Sequence, residues 1–219
     1  ASKQGLLQKD TNLGNALIDM YVKCGALKKS QEMFNELPTR NVVSWNGLMA
    51  GFAQFGHVRN VLELFDEMIT QGVIPDVVTI LILLSACNHA GLVDEGQMIF
   101  NDMERSYYLT PTIEHYTCMV DLFARSGSLI EAEKFLETLP FSSSKDVWLP
   151  LLTACKTYID VDLGFRCFQK LIDINPDCAS SYMLMSSIYA SVGRWDDVAK
   201  IEEMRIHGET SNNWSSRLI

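Results

Sequence analysis

Six cysteines and four histidines are the residues best suited to hold a metal ion, but their spacing does not favour one. The cysteines form no C-x-x-C pair. They are Cys24, Cys87, Cys118, Cys155, Cys167 and Cys178. Cysteines in such a pattern are typically small buried hydrophobes in a reducing compartment. We therefore expect no metal site.

The sequence also lacks the other common motifs of enzyme chemistry. It contains no glycine-rich phosphate loop, no clustered catalytic carboxylates and no nucleophile motif. His57, His89 and His115 are scattered along the chain, as surface or packing histidines are. We expect no catalytic residue, no cofactor and no enzyme activity.

Composition and charge limit the remaining classes. The hydrophobic content of 47% is ample for a buried core. The longest apolar run, residues 77–87, is too short to cross a bilayer, so no membrane association is expected. A net charge of −9 disfavours a protein that holds nucleic acid mainly by neutralising phosphates. RNA binding by this chain would depend on base contacts or on a locally basic face.

A recurring glycine indicates which elements position the polar side chains. Gly25, Gly56, Gly91 and Gly127 are spaced by 31, 35 and 36 residues. An apolar pair precedes each glycine, and large apolar residues follow it nine and twelve residues later. These offsets place the apolar residues on one face of each helix, and the glycine can end the first helix in the left-handed conformation. The pattern predicts an all-α, right-handed superhelical solenoid of helix–turn–helix repeats.

The repeat period divides the chain into segments. Four repeats are expected at 11–41, 42–76, 77–112 and 113–146. Two further helix pairs, with a more divergent sequence, are expected at 147–208. Residues 1–10 are interpreted as the tail of an incomplete upstream repeat, and residues 209–219 as a polar tail.

These segments resemble the pentatricopeptide repeat family, in particular the plant subfamily that alternates short, standard and long motifs. The resemblance rests on GNALIDMYVKCG (14–25), VVSWNGLMAGFAQFG (42–56), VTILILLSACNHAGLVDEG (78–96), IEHYTCMVDLFARSGSLIEAEKFLETLP (113–140) and SSIYASVGRWDDVAKI (186–201). The last two helix pairs are similar to the subfamily's C-terminal E motifs. The resemblance implies binding of single-stranded RNA with one base per repeat, read by two side chains.

Carried over by position, the two readers are the fifth residue of the first helix and the last residue of the repeat. The four pairs are Asn15 with Asn41, Asn46 with Asp76, Leu81 with Thr112, and Thr117 with Asp146. The family's code reads them, from 5′ to 3′, as C or U, then U, no clear base, and G. A short amide or hydroxyl can reach a Watson–Crick edge, and the second side chain can orient it. Leu81 offers no hydrogen bond, so the third repeat should tolerate any base.

The resemblance also implies contacts beside the base. Val43 and Val78, each the second residue of its repeat, would wedge between bases. Lys23 and Arg125, two residues before the turn glycine, would contact phosphates. Two such cations predict a shallow salt dependence of binding, with a log–log slope of about −1.4 for single strands.

Longer members of the subfamily end in a cytidine-deaminase-like domain, whose zinc site needs H-x-E and C-x-x-C. His207-Gly208-Glu209 has the first spacing, but no cysteine follows Cys178. The ligand set is therefore incomplete in this chain, and a deaminase would have to act in trans.

The resemblance implies a site-recognition factor for C-to-U RNA editing in the mitochondrion or chloroplast. The target would be like (C/U)-U-N-G-N-N-N-C, with the final C edited. The partners would be single-stranded RNA and, through the E motifs, a deaminase or editing cofactors. A protein–protein adaptor and an RNA stability or splicing factor remain alternatives. No leader that resembles a signal or transit peptide is visible in the sequence.

Overall fold

The computed structural model describes residues 11–137 and 144–215, with side chains described as far as residue 206. All regular secondary structure in these ranges is helical. None of the described helices is long and apolar enough to cross a membrane. The chain divides into two compact units, Ala1–Leu122 and Phe123–Ile219. The interpretation of residues 1–10 as the end of an upstream repeat lies outside the described residues.

The N-terminal unit is built from antiparallel helix pairs. Its helices are α1 Thr11–Lys23, α2 Leu27–Glu36, α3 Val42–Gln54, α4 Val58–Thr70, α5 Val77–Ala90, α6 Val93–Arg105 and the greater part of α7 Ile113–Arg125. The first helices α1, α3 and α5 pack side by side. Helices α2 and α4 each contact the first helix of their own pair and that of the next pair. Each pair therefore buries its apolar face against its neighbour, as the repeat pattern predicts.

Glycine ends the first helix of each of the four repeats in the left-handed conformation, which confirms the predicted role of these residues. Gly25, Gly56, Gly91 and Gly127 have φ angles of +71°, +74°, +70° and +82°. Each donates its backbone N–H to a carbonyl three residues earlier. Without a Cβ, glycine adopts this conformation at little cost. In the C-terminal unit Ile159 ends a first helix with a φ of +58°, where no glycine is available.

The core of the N-terminal unit consists of the apolar residues that flank each turn. Trp45 is fully buried, and its ring meets Phe34 edge-on at 4.7 Å between centroids. Ile18, Leu48 and Leu83 on the first helices are fully buried as well. Packing of the two helices of each pair through these residues holds the N-terminal ends of the first helices in a row.

The C-terminal unit contains α8 Leu129–Glu137, α9 Lys145–Tyr158, α10 Val161–Ile174, α11 Ala179–Ser191 and α12 Trp195–Ser215. Helices α9 and α11 pack side by side, and α10 contacts both. Arg166 of α10 forms a bidentate ion pair with Glu133 of α8, in which Nε and Nη2 donate to the two carboxylate oxygens at 2.7 and 2.8 Å. Helix α9 begins two residues before the segment boundary at 147. Helix α12 continues to Ser215, into the segment interpreted from sequence as a polar tail.

Candidate nucleic-acid interface

The two predicted readers of the second repeat are hydrogen-bonded to each other. Asn46 lies in the second turn of α3, and its Nδ2 donates to Oδ1 of Asp76 at 3.0 Å. The Thr79 hydroxyl lies 2.7 Å from Asn46 Oδ1 and 2.9 Å from Asp76 Oδ1, so its one proton can be donated to either oxygen. The three side chains form one network that fixes the orientation of the Asn46 amide. The second N–H of that amide has no partner among the described residues and can donate to a ligand.

The position of Asp76 follows from the helix that it precedes. Asp76 is the N-cap of α5 and forms a capping box with Thr79: its carboxylate accepts from the Thr79 N–H, and its own N–H donates to the Thr79 hydroxyl. Burial alone would raise the pKa of the Asp76 carboxyl. Hydrogen bonds from Thr79, Asn46 and the Val78 N–H outweigh burial and hold this pKa below its ordinary value. Asp76 is therefore ionised at neutral pH.

The first repeat has the same arrangement with a different second side chain. Asn15 Nδ2 donates to Asn41 Oδ1 at 3.2 Å, and the Ser44 hydroxyl donates to Asn15 Oδ1 at 2.7 Å. Asn41 is the N-cap of α3 and forms a capping box with Ser44. The capping residue is an amide here and a carboxylate in the second repeat. Asn41 thus adds N–H donors at a place where Asp76 has only acceptors.

The third repeat lacks this pairing. Leu81 is a half-buried apolar residue of α5. Thr112, which directly precedes α7, places its hydroxyl 2.8 Å from His115 Nδ1 and donates its N–H to the same nitrogen at 3.2 Å. The other ring nitrogen, Nε2, lies 2.9 Å from the Val77 carbonyl oxygen. His115 therefore bridges two repeats and occupies the place of Ser44 and Thr79, while nothing polar faces Thr112 from position 81.

The predicted readers of the fourth repeat fall in separate compact units. Thr117 lies in α7, where its hydroxyl donates to the Ile113 carbonyl at 2.8 Å. Asp146 lies in the first turn of α9, and the N-cap of that helix is Ser144. The capping position held by Asn41 and Asp76 in earlier repeats is thus held here by Ser144.

The two predicted wedge residues are exposed. Val43 is 56% exposed and Val78 is 48% exposed, although both are apolar. Each lies three residues before a predicted reader, Asn46 or Leu81, and so on the same face of its helix. An exposed valine beside these two reading positions fits contact with the face of a base.

The two predicted phosphate contacts have different surroundings. Lys23 ends α1 and forms an ion pair with Asp19, one turn earlier, at 2.7 Å. Both side chains of this pair are largely exposed, so the pair is weak and is screened by salt. Arg125 ends α7 and is exposed, and its backbone carbonyl accepts a hydrogen bond from the Tyr158 hydroxyl at 2.7 Å.

Sequence reasoning missed the residues that hold the readers in place. Ser44 and Thr79 each lie three residues after a cap, and His115 lies three residues after Thr112. The N-x-x-S and D-x-x-T spacings are recognisable as capping boxes in the sequence. Ser144 was also missed. Trp148 could have indicated this cap in the sequence. Trp45 lies four residues after the cap Asn41, and Trp148 likewise lies four residues after Ser144.

Among the described residues, no group of three or more histidine, cysteine, aspartate or glutamate side chains is arranged to hold a metal ion. Burial raises the pKa of the Cys87 thiol to about 11, with a smaller contribution from Glu95. Cys87 is therefore a neutral packing residue at physiological pH.

Family models match the chain along most of its length. A model of the PPR repeat family matches residues 40–89, and a model of the PPR repeat matches residues 15–42, 78–108 and 114–140. Together they cover more than half of the chain. A model of the E motif matches residues 158–209.

Relatives and solved structures agree with these models. The pentatricopeptide repeat-containing protein At2g13600 of Arabidopsis thaliana is 42% identical over 204 residues, which is 93% of this chain and 29% of that protein. At3g49170 of the same plant, labelled chloroplastic, is 40% identical over 204 residues, covering 91% of this chain and 24% of that protein. The chain thus spans about a quarter to a third of the length of these relatives.

The crystal structure of the maize pentatricopeptide repeat protein PPR10 is similar over 89% of this chain and 29% of that one, with a TM-score of 0.71 and 22% identity. PPR10 in complex with an 18-nucleotide psaJ RNA element is similar over 90% of this chain and 30% of that one, with a TM-score of 0.69 and 16% identity. At these identities the likeness shows the fold, which confirms the predicted all-α repeat solenoid.

Proposed function

The chain belongs to the pentatricopeptide repeat family, and from that premise we propose that it binds single-stranded RNA sequence-specifically, with one base per repeat. The observation that carries the proposal is the pair of networks that join Asn15 to Asn41 and Asn46 to Asp76. In each network a donor N–H remains on the reading amide, in an orientation fixed by its neighbours. Exposed Val43 and Val78 supply the apolar contact beside the readers.

The second repeat selects uracil in this proposal. The remaining N–H of Asn46 donates to a carbonyl oxygen of the base, and the hydrogen bond to Asp76 fixes the orientation of the amide. The ionised Asp76 also favours a base that presents an N–H, as the uracil N3 position does. Discrimination of about 1–3 kcal/mol is expected from a well-placed pair of this kind.

The first repeat accepts C or U because Asn41 replaces the carboxylate by an amide. Its N–H donors suit the unprotonated N3 of cytosine, and its carbonyl oxygen is already engaged by Ser44 and Asn15. The third repeat selects no particular base, because the Leu81 side chain has no hydrogen-bonding group. The family resemblance assigns G to the fourth repeat through Thr117 and Asp146, which completes the target (C/U)-U-N-G-N-N-N-C.

The role proposed for the bound RNA is C-to-U editing in the mitochondrion or chloroplast. The match to the E motif supports this role, and the chloroplastic label of one relative supports an organellar location. The repeats select the site, and the E motifs recruit a deaminase in trans or its cofactors. In this proposal the recruited deaminase supplies the catalytic groups.

Fluorescence anisotropy with short labelled RNAs tests the reading of bases. RNA with the target sequence should bind more tightly than RNA in which the G is replaced, and Thr117→Asn should move the preference at that base toward a pyrimidine. Equal binding of both RNAs by the wild-type protein would overturn sequence-specific reading. Together with tight binding of a protein partner, that result would favour the adaptor alternative.

A further inference from the structure

We propose that a basic groove at the turn between α1 and α2 binds the phosphate backbone of the RNA. The groove has a volume of about 620 Å³, and Lys28 and Lys29 of α2 line it opposite Phe52 and His57. The inference rests on the proposed RNA binding and adds to it a site for the backbone. It also identifies a locally basic face in a chain whose net charge is −9.

The charged side chains that line this groove are both cationic. Within the described part of the chain, Lys28 and Lys29 take part in no ion pair, whereas Lys23 is neutralised in part by Asp19 at 2.7 Å. Both lysines are exposed and carry three N–H donors each. An ammonium pair beside an open groove attracts an anion, and the residues that line the groove include no acidic side chain.

Helix stability does not explain the placement of these lysines. Lys28 and Lys29 lie in the first turn of α2, where the helix dipole disfavours positive charge, and the N-cap residue Ala26 supplies no side-chain hydrogen bond. The corresponding second helices α6, α8, α10 and α12 carry acidic residues in their first turns. The two lysines therefore differ from the acidic first turns of these four helices, whereas α4 of the second repeat has no acidic residue in its first turn and carries Arg59 there.

Aromatic side chains accompany the two lysines. Phe52 is buried beneath the groove, and the His57 ring meets it edge-on at 6.0 Å between centroids. Phe55 is 45% exposed and lies beside Gly25, with Cζ 3.7 Å from the place where a Cβ on that glycine would be. Cations next to an exposed ring are the combination that holds a single strand, because phosphates meet the cations and a base can stack on the ring.

The groove continues the line of the predicted phosphate contact. Lys23 follows the reader Asn15 by eight residues, or about 12 Å along α1. Lys28 lies three residues after Gly25, in the first turn of α2. If the phosphates of the RNA follow the C-terminal ends of the first helices, as the predicted contact of Lys23 implies, Lys28 and Lys29 are the next cations along the chain, just after the Gly25 turn.

Salt dependence of RNA binding tests this site. With Lys23, Arg125, Lys28 and Lys29 all contacting phosphates, the log–log slope of affinity against salt should be about −2.8 for single strands. The double variant Lys28→Gln/Lys29→Gln should reduce the slope to about −1.4 and weaken target and G-replaced RNA by the same factor. Its thermal unfolding midpoint should stay equal or rise, since two unfavourable charges leave the helix start.

A charge-matched control is the double variant Lys156→Gln/Lys170→Gln, which removes two exposed lysines from the C-terminal unit. It should keep the wild-type slope and affinity. If Lys28→Gln/Lys29→Gln also keeps the wild-type slope while base discrimination persists, the groove is overturned and the proposed function stands. If the wild-type protein binds no RNA, the proposed function is overturned, and the groove with it.

Discussion

At the scale of single residues, the same side chains stabilise the helices and orient the predicted readers. Asp76 caps α5 and also accepts from Asn46, and Thr79 completes the capping box while it donates toward Asn46 Oδ1. A reader that is tied to a helix cap is held in one rotamer before any RNA arrives. Such preorganisation lowers the entropic cost of binding.

Replacing Thr79 by alanine should affect stability and base preference together. The change removes the donor to the buried Asn46 carbonyl oxygen and the acceptor for the Asp76 N–H, at an expected cost of about 1–3 kcal/mol in the free energy of unfolding. Urea denaturation measures this loss, and anisotropy should show a weaker preference for U. Thr79→Ser keeps the hydroxyl, as Ser44 does in the first repeat, and should retain both properties. Normal uracil preference in Thr79→Ala would contradict the orienting role.

His115 should make the stability of the third repeat dependent on pH. Burial lowers the pKa of His115 below 6.5, against smaller opposite effects of the Val77 carbonyl and Glu114. The folded protein therefore favours neutral His115, in which Nδ1 accepts from the Thr112 N–H and the protonated Nε2 donates to Val77. The resulting stabilisation is complete above pH 6.5 and is lost as the pH falls below 6.5 through the lowered pKa.

The variant His115→Thr restores a hydroxyl at this capping position and tests that dependence. Between about pH 6.5 and 5 the wild-type protein should lose more stability than the variant, as measured by urea denaturation at each pH. Parallel curves for His115→Thr and the wild type would show that His115 does not contribute.

At the scale of elements, two glycines within α3 have opposite roles. A Cβ on Gly51 would lie 2.5 Å from Val22 Cγ2 and 3.2 Å from Val22 Cγ1, so α1 and α3 approach each other closely at this point. A Cβ on Gly47 would make only an ordinary contact, at 3.5 Å from Ile18 Cγ2. The spacing of the first helices, and so of the readers, therefore depends on Gly51.

Alanine substitutions should separate these two roles. Gly51→Ala should destabilise the N-terminal unit by about 1–3 kcal/mol, because stiff, β-branched Val22 has to move. Gly47→Ala should stabilise it by about 0.5–1 kcal/mol through helix propensity. Thermal and urea unfolding measure both changes. Destabilisation of similar size in both variants would contradict a close approach specific to Gly51.

At the scale of the whole molecule, the number of readable bases limits affinity. Three readable pairs at about 1–3 kcal/mol each give modest selectivity. The E motif region adds no predicted reader. The 219-residue chain should therefore bind its target RNA weakly and unrelated RNA more weakly still. Anisotropy titration checks this expectation, and nanomolar binding of an unrelated RNA would contradict it.

The sequence by itself determined the repeat architecture. The glycine period and the apolar offsets are local properties of each helix, so Gly25, Gly56, Gly91 and Gly127 marked the helix ends correctly. The pairs Asn15 with Asn41 and Asn46 with Asp76 were predicted from the family resemblance, and their reading of bases stays a prediction. The repeat architecture depends on periodicity and capping, which are encoded along the chain.

Only the tertiary structure decided which side chains meet across repeats. The hydrogen bonds between Asn46 and Asp76 and between His115 and Val77 join residues that are 30 and 38 positions apart in the sequence. No local sequence pattern predicts the distance between their atoms. The groove at Lys28 and Lys29 likewise exists only where α2 meets Phe52 and His57 of the following repeat. The net charge of −9 does not reveal that this groove is basic, because a bound anion interacts mainly with the charged side chains that the packed helices place near it.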